Sequence, residues 1–338
     1  MMGTALCVPL ADAGHDVRLI GTPLDEAVVR EVASSGVHPG LGCALPASIR
    51  AFPVGALGSG CAGADAIVLG VSSAGLGWAV EALRPELERV PRPVAMVTKG
   101  LELDGDGVHV LTDALARALG ERVPGCAPVA VCGPCIAGEL ARRVPTVGVL
   151  TGRQPELVRV FQGWLTTPYY HPRPSPDVIG VQVCAAAKNA YAMGVALAAG
   201  LHERAGGARG SIAMHNLEAA LFARSLLEMG RVVSALGGDP ASAWGLPGSG
   251  DLTVTCNGGR TGRFGALLGR GYRAREARAS MGSVTLECLD VLAVLERALA
   301  ARQLGTLAPP DLPLLSFLVE LALHDGELAI DLGALFPA

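Results

Sequence analysis

The chain has 338 residues, 27 Lys and Arg against 31 Asp and Glu, half of its residues hydrophobic, 17% charged and 4% aromatic. That length accommodates two domains of ordinary size, and that apolar content describes buried cores and excludes a disordered or fibrous chain. A net charge of −4, with the two signs interspersed, leaves no basic footprint for nucleic acid. Short β-rich apolar runs alternate with helical patterns through the first half, at 17–20, 66–69, 94–97, 128–131 and 146–149. Their hydrophobicity is continuous rather than alternating, which marks strands buried on both faces of a parallel sheet covered by helices. A helix is predicted at 157–165, and the Pro-rich stretch 171–176 reads as a linker. From about Val181 the pattern changes to long Ala/Leu/Met-rich runs at helical spacing, 181–199, 216–236 and 285–301, with a Gly/Arg-rich loop at 200–210 and no internal repeat.

The expected architecture is an α/β Rossmann-like parallel-sheet domain over residues 1–176, followed by an all-α domain over residues 177–338. No run of eighteen uninterrupted apolar residues and no leader pattern appear, so a soluble cytoplasmic protein without a membrane span is expected. The nine Cys are scattered in apolar settings such as Val183-Cys184-Ala185 and Glu287-Cys288-Leu289, and read as reduced, mostly buried thiols. A dinucleotide-binding sheet domain opens with a strand, a Gly-x-Gly-x-x-Gly turn and a helix whose N-terminus receives the pyrophosphate. Here the chain opens Met1-Met2-Gly3-Thr4-Ala5-Leu6, with a helix expected to end near Ala13-Gly14-His15. A lone Gly near an N-terminus has little value by itself; the family resemblance carried by segments further along the chain implies that Gly3 stands in the place of the third glycine, the one that lets helix and strand pack closely. The preceding strand and the first two glycines are expected from an upstream start codon.

Four segments bring chemistry-bearing residues in order. Lys99-Gly100-Leu101-Glu102 follows a predicted strand, where a loop at the carboxyl end of a sheet faces a nucleotide cleft. Gly133-Pro134-Cys135-Ile136-Ala137-Gly138-Glu139 turns into a helix, and Ala187-Lys188-Asn189 lies in the long helix that opens the second half. The last segment, from Gly250-Asp251 to Gly259-Arg260, sets Asp251, Thr255 and Arg260 at relative positions zero, four and nine. In order and spacing these segments resemble the NAD(P)-dependent glycerol-3-phosphate dehydrogenases of the bacterial and archaeal type, and the resemblance spans essentially the whole chain.

That resemblance implies an oxidoreductase interconverting sn-glycerol 3-phosphate and dihydroxyacetone phosphate by hydride transfer with NAD or NADP, working as a homodimer through its helical domain and serving phospholipid biosynthesis. It implies a substrate site of Lys99, Lys188, Asn189, Asp251, Thr255 and Arg260, with Lys188, Lys99 and Asp251 catalytic. Cofactor contacts are implied at Gly3, Thr4, Ser72, Lys99, Ala137 and Arg260. The chemistry accounts for the residue types: oxidising a secondary alcohol releases its hydroxyl proton, and the reverse reaction protonates an oxyanion. An amine of depressed pKa serves both directions, and a Lys in an Ala-rich helix beside the second cation of Lys99 suits it, with Asp251 orienting the pair. A dianionic phosphate suits the planar fork of Arg260, with neutral hydrogen bonds added by Asn189 and Thr255. Gly21-Thr22-Pro23-Leu24-Asp25 offers neither an acid at the strand end for a ribose hydroxyl nor an Arg for a 2′-phosphate, so NAD and NADP both stay open.

Taken singly, Lys188 is a surface helix lysine, Asp251 a helix cap and Arg260 a solvated charge; their ordered occurrence favours the site. Cys132-Gly133-Pro134-Cys135 spells a thiol redox motif, yet no Trp precedes it and the turn accounts for Gly133 and Pro134. No second Cys pair or His pair at ligand spacing supports zinc. The chain departs from the family pattern at Thr261, where Asn is usual, at Glu218, where a basic residue is usual, and in a longer loop ahead of Asn216. Ser280-Met281-Gly282-Ser283-Val284 falls where Glu-Gly-Val with a ribose-holding acid is usual, and this departure, with the missing glycines, motivates an alternative of impaired nucleotide binding. Two alternatives stand beside the main reading: a dehydrogenase of another small phosphorylated polyol or 3-hydroxy acid, and a non-catalytic descendant with impaired nucleotide binding.

Overall fold

The structure, a computed structural model, describes residues 1–208, 214–256, 258–282 and 284–337. Arg209 and Gly210 of the expected loop, Asn257 of the Asp/Thr/Arg block and Ser283 lie outside the described residues. The chain divides into two compact units, Met1–Lys99 with Leu111–Val178, and Gly100–Val110 with Ile179–Ala338.

The first unit runs through α1 (Met2–Asp12), β1 (Arg18–Ile20), α2 (Glu26–Ser35), the short antiparallel pair β2 (Val37–His38) and β3 (Cys43–Ala44), β4 (Arg50–Phe52), α3 (Leu57–Cys61), β5 (Ile67–Leu69), α4 (Leu76–Arg89) and β6 (Val94–Met96). A hairpin of β7 (Leu101–Asp104) and β8 (Gly107–Val110), which the sequence reading did not include, belongs to the second unit. The first unit then resumes with α5 (Leu111–Leu119), β9 (Val129–Cys132), α6 (Ala137–Ala141), β10 (Val149–Thr151), α7 (Pro155–Leu165) and β11 (Arg173–Pro174).

Strands β5, β6 and β9 lie parallel, with Ile67 opposite Val94 and Ala95 opposite Val129, while β1 pairs in parallel with β4. Burial on both faces explains the continuous apolar runs. Ala95 and Val97 of the β6 segment enter a core with Leu6, Val8, Phe161 and Leu165, whereas Val94 and Met96 enter a second core with Leu83, Leu87, Leu111 and Leu115. Two expectations are corrected. The run 146–149 makes its strand later, at β10, and antiparallel to β9, with Leu150 opposite Val131. The Pro-rich stretch is no linker: it holds the edge strand β11, parallel to β10, a place where Pro174 loses nothing by lacking an N–H toward a further strand.

α1 sits directly on the turn after β5, for a Cβ at Gly3 would stand 2.8 Å from the Gly70 Cα. A cavity of about 380 Å³ lies under α1, lined by Gly3, Thr4 and Cys7 and by the β1 and β5 segments.

The second unit holds α8 (Val178–Arg204), α9 (His215–Ala235), α10 (Asp251–Cys256), α11 (Gly259–Gly269), α12 (Ala274–Met281), α13 (Glu287–Ala300), α14 (Pro313–Ala322) and α15 (Leu332–Leu335). α8 continues through Arg204, into the stretch expected as a loop. Gly200 is there for packing rather than punctuation: a Cβ on it would lie 2.1 Å from the Ala266 carbonyl oxygen, so α8 and α11 cross at backbone contact. By length and composition α8 is long and apolar enough to cross a membrane, and 94% of its apolar window is buried inside the protein. The nine Cys form no disulfide, and burial pushes the thiols of Cys7, Cys256 and Cys288 up to about 12.

Candidate active site

Lys188 lies within α8 among Ala185, Ala186, Ala187 and Ala190, side chains too small to reach solvent past their neighbours, and is itself only 6% exposed. A buried ammonium requires a partner. Its Nζ donates to Oδ1 of Asp251, which is 0% exposed and opens α10. The π-helical turn Leu246–Gly250 delivers that aspartate, and Gly248 permits the turn, since a Cβ there would fall 2.1 Å from the Ala243 carbonyl oxygen.

Next to Lys188, Asn189 Nδ2 donates to Glu287 Oε2 at 3.3 Å, and the other Glu287 oxygen stands 4.0 Å from Arg260 NH2. At 4.0 Å the Arg260–Glu287 pairing is loose, longer than a hydrogen bond, and the Arg260 side chain is 54% exposed at the start of α11. The Thr255 hydroxyl donates to the Asp251 carbonyl oxygen at 2.6 Å, one helical turn back. The second unit therefore holds two sets of polar contacts, Lys188 with Asp251 and Asn189 with Glu287 and Arg260, which start from adjacent residues of α8.

Glu287 is the residue that sequence reasoning missed. It stands at the first position of α13. The available signal was an acid at the opening of the helix predicted from residue 285. Glu218, where a basic residue was expected, lies 3.0 Å from His215 in the first turn of α9.

The remaining sequence-predicted positions lie in the first unit. Gly3 and Thr4 open α1, Ser72 follows β5, Lys99 follows β6 and Ala137 opens α6 after β9. Because β5, β6 and β9 are parallel, Ser72, Lys99 and Ala137 fall beyond the same, carboxyl end of the sheet, where open α/β sheets bind ligands. The Thr98 hydroxyl donates to the Val71 carbonyl oxygen at 2.9 Å and ties the loops after β6 and β5 together.

The chain matches the family described as NAD-dependent glycerol-3-phosphate dehydrogenase, its N-terminus over residues 1–158 and its C-terminus over residues 177–327. The NADP(+)-dependent glycerol-3-phosphate dehydrogenase of Archaeoglobus fulgidus is 32% identical over 279 residues, 82% of this chain and 79% of that protein. A glycerol-3-phosphate dehydrogenase of Serratia proteamaculans, specified for NAD(P)+, is 33% identical over 303 residues, 87% of this chain and 84% of that protein. The crystal structure of a glycerol-3-phosphate dehydrogenase from Coxiella burnetii aligns with a TM-score of 0.79 at 28% identity, covering 96% of this chain and 92% of that one.

Proposed function

This chain belongs to the NAD-dependent glycerol-3-phosphate dehydrogenase family, and from that premise we propose how its own groups carry the reaction. It is an oxidoreductase that interconverts sn-glycerol 3-phosphate and dihydroxyacetone phosphate with NAD or NADP. Lys188 takes the hydroxyl proton during oxidation and returns one to the carbonyl oxygen during reduction. Asp251 seats the amine and balances its charge, a strong interaction because both groups are out of water. Arg260 turns its fork from Glu287 to the substrate phosphate, while Glu287 keeps Asn189 in place beside the amine. The buried Lys188–Asp251 pair beside that chain carries this reading.

The nicotinamide, when bound, accepts or supplies the hydride. The first unit fits a dinucleotide: α1 presents its first-turn N–H groups, and the close approach of Gly3 to Gly70, where a Cβ on Gly3 would stand 2.8 Å from the Gly70 Cα, leaves its cradle without a side chain. Gly3, Thr4, Ser72, Lys99 and Ala137 would hold it, with Arg260 shared between cofactor and substrate and Lys99 serving as second cation. In this reading residues 1–176 bind the nucleotide and residues 177–338 the substrate, in a cytoplasmic homodimer without a membrane span.

Turnover is followed by NAD(P)H absorbance with dihydroxyacetone phosphate as substrate. Arg260→Lys keeps the charge without the fork, and KM for dihydroxyacetone phosphate should rise about ten-fold. An unchanged KM removes Arg260 from the phosphate site. Lys188→Ala should abolish turnover while nucleotide binding, read by NADH fluorescence, persists; retained turnover overturns the assignment.

A further inference from the structure

Glu228, on α9, is 0% exposed and takes part in none of the steps above. Its carboxylate accepts four hydrogen bonds, from Arg224 Nε at 2.8 Å, Leu314 N at 2.8 Å, Leu315 N at 2.9 Å and the Tyr191 hydroxyl at 3.2 Å. Burial pushes its carboxyl up, while the two backbone N–H groups and Arg224 pull it back. One side chain thus joins α9 to α8 and to the first turn of α14, whose leading N–H groups have no partner within their own helix.

The Tyr191 contact has the functional consequence. Tyr191 stands three residues beyond Lys188, and residues at that spacing share a helix face. Each is bonded to an acid brought by another element, Lys188 to Asp251 and Tyr191 to Glu228. The helix carrying Glu228 also packs against the turn that delivers Asp251. Around Lys188, α8 is built of Ala185, Ala186, Ala187, Ala190 and Ala192. The crossing with α11 at Gly200 and Gly265 fixes α8 on one side. On the side of Lys188 the small methyls offer low ridges, and the Tyr191–Glu228 hydrogen bond adds a directional tie there.

We propose that Glu228, acting through Tyr191, is a positioning residue for the Lys188 amine: the Tyr191–Glu228 bond trims the local rotation of α8 beside Lys188 and with it the seat of the amine against Asp251. This rests on the reading of Lys188 as the acid–base group. A helix with its side chains is about 5–6 Å in radius, so a turn of about 10° carries a side-chain tip about 1 Å. Misplacement on that scale costs up to about a hundred-fold in rate.

Tyr191→Phe keeps the ring and removes the donor. The folded variant should lose about ten-fold in kcat while the NADH Kd stays within about two-fold, since α8 carries Lys188 and Asn189 but none of the residues proposed to hold the nucleotide. Glu228→Gln, measured the same way, should show the same split, and it decides the matter where Tyr191→Phe does not fold. A kcat within about two-fold of wild type in the deciding variant overturns the proposal. Failure of both variants to fold also overturns it, because the node then serves the fold as a whole. Lys188→Ala keeps the two readings apart. Turnover surviving that substitution removes the acid–base role itself, whereas its loss alongside an unaffected Tyr191→Phe enzyme removes only the role of Glu228.

Discussion

Removing either member of the Lys188–Asp251 pair takes a charged hydrogen-bond partner from the other inside the second unit, where the two residues are 6% and 0% exposed. Breaking a buried ion pair by removing one partner costs about 3–5 kcal/mol, whereas exchanging both partners for apolar side chains of similar volume is near neutral or stabilising. The second unit falls in the size range where each kcal/mol moves Tm by about 2–4 °C. Lys188→Met and Asp251→Leu, made singly, should therefore lower Tm by about 6–20 °C. The double variant should regain most of that loss and still show no turnover, because the proton-transferring amine is gone. Circular dichroism melts and NAD(P)H-linked turnover on the three variants read both quantities. A double variant that falls by the sum of the single losses would refute the coupling of the two charges in one dry site. Turnover persisting in Lys188→Met would refute the chemistry.

Gly3→Ala places a methyl 2.8 Å from the Gly70 Cα, a backbone atom that cannot swing away. The variant should lose about 1–3 kcal/mol of stability and bind NADH more weakly by fluorescence titration; unaltered melting and affinity would sink the close approach. Asp12 offers a pH test. The Arg143 guanidinium, with the Tyr169 hydroxyl at 2.6 Å, holds its carboxyl below the ordinary value of 3.8. A carboxyl held low in the folded state contributes stability that is present above 3.8 and disappears as pH falls through the folded-state value. Wild type should melt above Asp12→Asn near neutrality, and the two should converge below pH 3.8; a gap that widens toward acid would contradict that linkage.

Much of the element order was legible in the sequence. A strand covered on both faces needs apolar residues at every position, and the runs at 66–69, 94–97 and 128–131 lie at β5, β6 and β9. Long helices at 181–199, 216–236 and 285–301 were legible for the parallel reason that helical periodicity survives over many turns. Punctuation misled where its cause was distant. Gly200 reads as a loop signal locally, yet it is required by the Ala266 carbonyl of another helix, and the prolines of 171–176 read as a linker although Pro174 closes a sheet edge. Asp251, Thr255 and Arg260 could be picked out because their spacing within one short segment is itself a pattern. Glu287 and Glu228 carry no such pattern, since each is defined by what it meets.

The amino-acid sequence by itself determined the family, the alternation of strands and helices that ends in a helical second half, and the residue types gathered for proton transfer and phosphate, because periodicity and motif spacing are properties of neighbours along the chain. Only the tertiary structure decided that β10 runs against β9, and that Asn189 meets Glu287 across 98 residues and Lys188 meets Asp251 across 63. Strand direction and the partner of a buried polar group follow from which surfaces pack together once the chain has closed on itself, and no local window of residues contains that information.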